Sequence, residues 1–166
     1  MNRLVFVRDG RYINQQYEDE LRKLLDTDYP GMRFTSYKAS NMSVDQLLDS
    51  LNVTDTRHTG VLFSSWHYTR NIAGNTEITA NPFKIIASST APLFALWPSS
   101  VKNSGVVGGF TYDVSVYNRQ IIKTFNTILE GRQPRDIPFY TPTDAHPTFN
   151  YPAMLRNKIS PEICPP

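Results

Sequence analysis

The residues best suited to bind a small molecule stand directly after short apolar runs of the sequence. They mix aromatic rings, hydroxyl groups and both signs of charge, and such a lining holds a small polar or aromatic ligand without reacting with it. An arginine there would pair with a ligand carboxylate, and an aspartate would accept a hydrogen bond from an amine or a hydroxyl. The predicted ligand-binding residues are Arg8, Asp9, Ser64, Ser65, Trp66, Trp97, Ser99, Tyr112 and Asp113.

This lining favours an amino-acid-like, aromatic or sugar-like ligand. The rings of Trp66, Trp97 and Tyr112 would stack on a planar or apolar part of the ligand. Arg8 would bind a carboxylate, and a phosphate would be repelled by the two aspartates. The ligand is therefore predicted to be a small metabolite and not a phosphorylated one.

One group of these residues suggests chemistry instead of binding. Ser64 or Ser65 with His67 would make a small α/β hydrolase, in which the imidazole takes the serine proton. The sequence contains no G-x-S-x-G nucleophile elbow, and no orienting acid is evident. The three histidines are far apart, and the one cysteine, Cys164, stands near the C-terminus. Neither a metal site nor a cofactor is therefore predicted.

Several candidates also have a purely structural interpretation. Asp113 precedes a helical pattern and is well placed to cap it. Trp66 and Trp97 are large enough to bury their indoles in a core. Arg8 could simply be the surface ion-pair partner of Asp9. These alternatives stay open at the level of sequence.

Composition limits the class of protein. The 166 residues carry a formal net charge of +2 with scattered lysines and arginines, which argues against a nucleic-acid partner. No apolar run approaches the roughly 18 residues that would span a bilayer. The length is that of one domain.

Short apolar runs alternate with amphipathic stretches along the chain. The runs RLVFVR, MRFTSYK, GVLFSSW, APLFALW and GVVGGF predict five strands, and residues 14–25, 43–51, 82–89 and 114–129 predict helices. Ser43 and Gln46 predict a capping box, Glu18 and Arg22 an ion pair on the polar face of the first helix, and residues 67–79 a loop. The alternation predicts a three-layer α/β domain with a parallel sheet of about five strands and helices on both faces. The candidate residues then meet at the carboxyl edge of that sheet.

The chain divides at its proline-rich end. Residues 1–139 are predicted to form the ligand-binding lobe. Residues 140–166 are predicted to be an extended C-terminal segment, directed toward a hinge and a partner lobe.

The second half of the sequence resembles the second lobe of type I periplasmic binding proteins, in the ABC-transporter substrate-binding-like subgroup. The resemblance lies in the order and spacing of a glycine-rich strand, an acidic residue that opens a helix, an IL-x-G-x-x-P-x-x-I-P pattern and a closing Asn-Leu-Ile series. The matching positions are Gly108, Gly109, Asp113, Ile128, Leu129, Gly131, Pro134, Ile137, Pro138, Asn150, Leu155 and Ile159. The runs RLVFVRDGRYINQQYEDELRKLL and TAPLFALWP resemble two earlier units of the same lobe.

The resemblance implies a function and a set of partners. It implies a non-enzymatic, extracytoplasmic small-molecule sensor, as found in bacterial histidine kinases (many of them hybrid kinases), which signals by closure of two lobes. The alternative is the substrate-binding protein of an ABC transporter. The implied partners are a small-molecule ligand, a missing first lobe and the membrane component of an inner-membrane-anchored kinase or transporter. A homodimer through the cleft face or residues 140–166 is a further expectation.

The resemblance also gives the paired glycines a role. Gly108 and Gly109 are expected to let the backbone turn tightly as their strand reaches the cleft. The following helix would then point its N-terminus into the cleft, and Tyr112 and Asp113 would face the ligand.

Overall fold

The chain forms eight strands and five α-helices in a computed structural model, which describes residues 2–70, 75–78, 82, 87–101, 105–140, 143 and 145–163. The strands are β1 Arg3–Arg8, β2 Arg33–Lys38, β3 Thr59–Phe63, β4 Tyr68–Arg70, β5 Thr76–Ile78, β6 Leu93–Ala95, β7 Gly108–Tyr112 and β8 Ala145–Phe149. The helices are α1 Tyr12–Asp28, α2 Val44–Asn52, α3 Pro98–Val101, α4 Val114–Leu129 and α5 Tyr151–Arg156. Two short 3-10 turns, Pro134–Asp136 and Pro161–Ile163, complete these elements.

Six of the strands form one mixed sheet in the order β2-β1-β3-β6-β7-β8. The first five are parallel to one another, and β8 is antiparallel to β7. The predicted α/β class, with five parallel strands and helices on both sides of the sheet, is confirmed. The structure adds the sixth strand, which comes from the C-terminal segment.

The core lies between the sheet and the helix α2. Val5, Val61 and Phe63 contribute from the central strands, and Leu47 and Leu51 contribute from the apolar face of α2. Ser43 caps α2 by accepting from the backbone N–H of Gln46, whose side chain in turn accepts from the backbone N–H of Ser43. The predicted capping box is therefore confirmed.

The prediction of an irregular loop after β3 is wrong over the described residues. Strands β4 and β5 pair antiparallel as a separate two-stranded sheet, with Tyr68 opposite Ile78. Three residues a strand are too few for a polar–apolar alternation to be recognised, which is why the sequence pattern missed them. The short helix predicted after Asn81 falls largely outside the described residues.

The paired glycines serve the packing of strands and not a turn. Neither has a positive φ. A Cβ on Gly109 would lie 2.0 Å from the backbone oxygen of Ala95, and one on Gly108 would lie 2.5 Å from the ring of Phe149. The expectation of a tight turn is corrected: β7 carries glycines because its neighbours on both sides leave no room for side chains.

The helix α4 differs from the rest of the domain. None of its 16 residues, all of which the structure describes, is buried. Among the described residues, no helix is long and apolar enough to cross a membrane.

Candidate functional site

Asn14 joins the ends of two neighbouring strands through a buried polar network. Its side-chain amide nitrogen lies 2.6 Å from Asp9 Oδ1 and 2.7 Å from Ser65 Oγ, to which it donates. Its amide oxygen accepts from Ser64 Oγ at 2.6 Å. Because Asn14 belongs to the first turn of α1, this network fixes that helix to the carboxyl ends of β1 and β3.

Asp9 is fully buried and serves the same framework. Oδ1 also accepts from the backbone N–H and the Nε of Arg11, both at 3.1 Å, and Oδ2 accepts from the backbone N–H of His67 at 3.0 Å. Burial alone would raise the pKa of Asp9, but these hydrogen bonds and the Arg11 charge outweigh it and lower the pKa. Asp9 therefore holds the loops in place and offers a ligand no surface.

Arg8 belongs to a second buried network, around Glu18. Its Nε donates to Glu18 Oε2 at 2.5 Å, and its Nη1 donates to the backbone oxygen of Asp9 at 3.1 Å. Arg22 and Lys38 also reach the Glu18 carboxylate, at 2.7 and 3.4 Å. Burial raises the pKa of Glu18, but the hydrogen bonds from Arg22 and Arg8 and the charges of Arg8 and Lys38 lower it to about 2.

These contacts correct two details of the sequence interpretation. The ion-pair partner of Arg8 is Glu18 and not Asp9. Glu18 does pair with Arg22, but its side chain is only 4% exposed and does not lie on a solvated face. Both errors arise because a strand and a helix meet here through packing that residue spacing does not encode.

The first pocket, here called the Trp97 pocket, lies at the carboxyl ends of β3 and β6. It has a volume of about 280 Å³ and is lined by Arg11, Phe63, Ser64, Ser65, His67, Pro82, Trp97, Ser99 and Ser100. The ring of Trp97 is packed edge-on against Tyr17 of α1, with 5.9 Å between ring centroids. Four of the predicted residues thus meet in one pocket with an indole and several hydroxyl groups.

A second pocket, here called the cationic pocket, lies beside it at the ends of β1 and β2. Its volume is about 810 Å³, and the hairpin of β4 and β5 contributes to its wall. Arg8 is the one predicted residue that lines it. The lining residues are Arg8, Gly10, Arg11, Gln15, Lys38, Ser40, Asn41, Tyr68, Thr69 and Thr76. Arg11 lines both pockets.

The remaining predicted residues lie elsewhere. Trp66 is fully buried in the core, and its Nε1 has no hydrogen-bond partner among the described residues. Tyr112 and Asp113 follow β7 at the same edge of the sheet but line neither pocket. Asp113 caps α4 by accepting from the backbone N–H of Ser115 at 2.8 Å, and this bond lowers its pKa. The ring of Tyr112 contacts that of Tyr117 edge-on.

The residues that organise the site were not among the predicted set. Arg11, Asn14 and Lys38 build or line the pockets, yet none was selected from the sequence. One signal was present for Asn14: it lies four residues before Glu18 on the helical face that also carries Leu25, and all three are buried. Polar residues at apolar positions of a helix indicate an internal hydrogen-bonded network.

The geometry does not support the hydrolase alternative. Ser64 and Ser65 are both hydrogen-bonded to Asn14, and within the described part of the chain no hydrogen bond joins either hydroxyl to the His67 ring. The one contact of His67 in this network comes from its backbone, which donates to Asp9. A nucleophile needs a base within hydrogen-bond reach. The described residues also contain no group of three or more His, Cys, Asp or Glu able to hold a metal ion.

Solved structures share this fold, although no protein-family model and no curated protein matches the sequence. An ABC domain in complex with L-Trp from Streptococcus pneumonia aligns with a TM-score of 0.68 at 13% identity, over 97% of this chain and 53% of that one. A ligand-free, open substrate binding protein with adhesive properties from Clostridium difficile aligns with a TM-score of 0.60 at 15% identity, over 96% and 50%.

A conserved domain protein from Vibrio cholerae aligns similarly, with a TM-score of 0.66 at 15% identity, over 96% of this chain and 50% of that one. The chain thus spans about half the length of the structures it matches. At these identities the likeness establishes the fold, and this fold is one that substrate-binding proteins use.

Proposed function

We propose that this chain is one lobe of a two-lobe, extracytoplasmic protein that binds a small molecule and does not transform it. The observation that carries the proposal is the Trp97 pocket, which opens at the carboxyl edge of the sheet. Ligands bind at this edge in open α/β sheets, because loops and helix N-termini converge there. The buried Asn14 network holds the pocket walls before any ligand arrives.

The lining favours a ligand with a flat apolar part and hydrogen-bonding groups. Trp97 offers an indole face, and Ser65 and Ser99 offer hydroxyl groups. An aromatic amino acid has this chemistry, and one protein of the same fold is bound to L-Trp. Half of the cleft is absent from this chain, so we expect the isolated lobe to bind such a ligand weakly.

The missing half of the cleft would come from a second lobe. This chain covers only about half of each matched structure, and α4 leaves the sheet after β7 before the chain returns as β8. The apolar face of α4 is defined by Val114, Tyr117, Ile121, Phe125 and Ile128, all exposed. An apolar stripe of this width needs a partner surface, and we assign it to the other lobe.

The role of sensor in an inner-membrane-anchored histidine kinase follows from the sequence resemblance. Closure of the two lobes on the ligand would be passed to the membrane component. The substrate-binding component of an ABC transporter is the second candidate, and the matched substrate binding protein favours it. Ligand-dependent autophosphorylation of the membrane-embedded full-length protein would indicate the sensor, and its absence despite ligand binding would indicate the transporter component.

Binding at the Trp97 pocket can be measured directly on this chain. L-Trp and a panel of other amino acids would be titrated by calorimetry into the wild type, Trp97→Ala and a control, Tyr29→Ala, whose ring is exposed at the end of α1. We expect weak binding that Trp97→Ala lowers at least about tenfold, because base-sized aromatic stacking contributes roughly 1–3 kcal/mol. Equal affinity in all three proteins would place the ligand elsewhere.

A further inference from the structure

Three positively charged side chains line the cationic pocket. Arg8, Arg11 and Lys38 lie at the carboxyl ends of β1 and β2 and in the loop after β1. No acidic side chain among the described residues lines the pocket. The side chains of Arg11 and Lys38 are 40% and 34% exposed, so both can turn toward a solute in the pocket.

The carboxylates behind this pocket do not neutralise it. Glu18 pairs with Arg8, Arg22 and Lys38, and Asp9 pairs with Arg11. Four cations therefore share two carboxylates, which leaves a surplus of two positive charges on the described residues of this cluster. Both carboxylates are buried and have a lowered pKa, so they stay ionised near neutral pH and the surplus does not change there.

Neutral hydrogen-bond donors complete the wall. Ser40 and Asn41 follow β2, Gln15 projects from the first turn of α1, and Tyr68 and Thr76 come from the hairpin. Hydroxyl and amide groups beside two or three cations are the usual surroundings of a bound oxyanion. The repulsion expected from Asp9 and Asp113 does not operate here, because Asp9 is buried and hydrogen-bonded and Asp113 is outside the pocket.

We infer that the cationic pocket is a subsite for a doubly charged oxyanion, either a dicarboxylate or a phosphate group. The inference rests on the proposed function in one respect: Arg11 lines both pockets, so the anion would be the acidic end of the ligand whose flat part occupies the Trp97 pocket. The pocket volume of about 810 Å³ leaves room for more than the oxyanion itself. The surplus charge selects a dianion over a monoanion.

The probes are inorganic phosphate, succinate and acetate, each titrated by calorimetry or nuclear magnetic resonance into this chain. Phosphate and succinate should bind at least about tenfold more tightly than acetate, and their affinity should fall as salt is added. Preference for phosphate over succinate, or the reverse, identifies the source of the two charges. Equal binding of all three probes would overturn the inference.

Lys38 is the residue to vary, because its contact with Glu18 is the longest of the three. Lys38→Gln should weaken the dianion about tenfold, since one charge-assisted contact is lost. The matched control is Lys23→Gln, which removes the same charge from an exposed position of α1. Lys38→Arg keeps the charge and should keep binding, which separates loss of charge from loss of folding. Equal weakening in the Lys23 control would indicate only a diffuse surface effect and would overturn the subsite.

The two proposals fail in different ways. If L-Trp binds in a Trp97-dependent manner and neither dianion binds, the subsite is wrong and the proposed function stands. If a dianion binds in a Lys38-dependent manner and no amino acid responds to Trp97→Ala, the Trp97 pocket is wrong and the anion site stands alone.

Discussion

Helices α1 and α4 begin at the same edge of the sheet and have nearly the same length, yet the domain treats them differently. The first, of 17 residues, buries Asn14, Glu18 and Leu25, and the second, of 16 residues, buries none. The first helix also has the weaker apolar face, because two of its three buried residues are polar. Position in a fold is therefore decided here by specific polar contacts in one case and by their absence in the other.

The difference indicates which surface each helix was selected to meet. The buried side of α1 meets charged and hydrogen-bonding groups at the ends of β1 and β3. The apolar face of α4 remains exposed, with Ile121 and Phe125 at 62% and 60%. An apolar stripe of that kind is costly in water unless another surface covers it. We read α1 as part of this lobe and α4 as the element that joins it to another.

The largest effect should follow removal of the charge at the centre of α1. Glu18→Gln leaves Arg8, which is 9% exposed in its side chain, without an ionic partner. Breaking one side of a buried ion pair typically costs about 3–5 kcal/mol of the free energy of unfolding. Urea denaturation would measure it, with Glu20→Gln as control because the pair of Glu20 with Lys23 is fully solvated. A loss below about 1 kcal/mol would mean that α1 is held by apolar contacts alone.

The same carboxylate predicts how stability depends on pH. The pKa of Glu18 is about 2 in the folded chain against an ordinary value of 4.5, so its contribution is complete above pH 4.5. It is lost as the pH falls from 4.5 toward 2, because the unfolded chain binds the proton first. The loss should reach about 3 kcal/mol in the wild type.

Denaturation curves at several pH values in that window, for the wild type and Glu18→Gln, isolate this contribution. Asp9 also has a lowered pKa and titrates in both proteins, so the difference between the two curves reports Glu18. Parallel curves would show that Glu18 has an ordinary pKa and is not paired as described.

Asn14 should come next in size. Asn14→Ala removes three hydrogen bonds and leaves Ser64, Ser65 and Asp9 with one fewer partner each. Buried polar groups left without a partner cost about 1–3 kcal/mol, and Asp9 and the Ser64 hydroxyl are both buried. Thermal unfolding would measure the loss, and Gln16→Ala on the exposed side of α1 is the control. Equal melting temperatures for the two variants would contradict the role of the network.

Sequence patterns were sufficient for the fold and insufficient for the site. Apolar runs located the five parallel strands, and Ser43 with Gln46 marked the start of α2, because both signals are local. The destination of each side chain depends on packing between distant segments. Position after a strand therefore could not distinguish Ser65, which lines a pocket, from its neighbour Trp66, which lies in the core. Nor could it show that Arg8 would reach across to Glu18.

The smallest effect is expected on the apolar face of α4, and it is the sharpest test of the comparison. Ile121→Ser with Phe125→Ser should change the free energy of unfolding of this chain by less than about 0.5 kcal/mol, because both side chains are already exposed. Leu25→Ala on α1 is the matched contrast and should cost about 2–5 kcal/mol, since Leu25 is 5% exposed. A substantial loss from the α4 pair would mean that this face is packed within the lobe. Sedimentation of the wild type then identifies what covers the face: a monomer that associates only with a separately supplied second lobe supports our assignment. A dimer that the α4 pair dissolves would instead assign the face to a second copy of the chain.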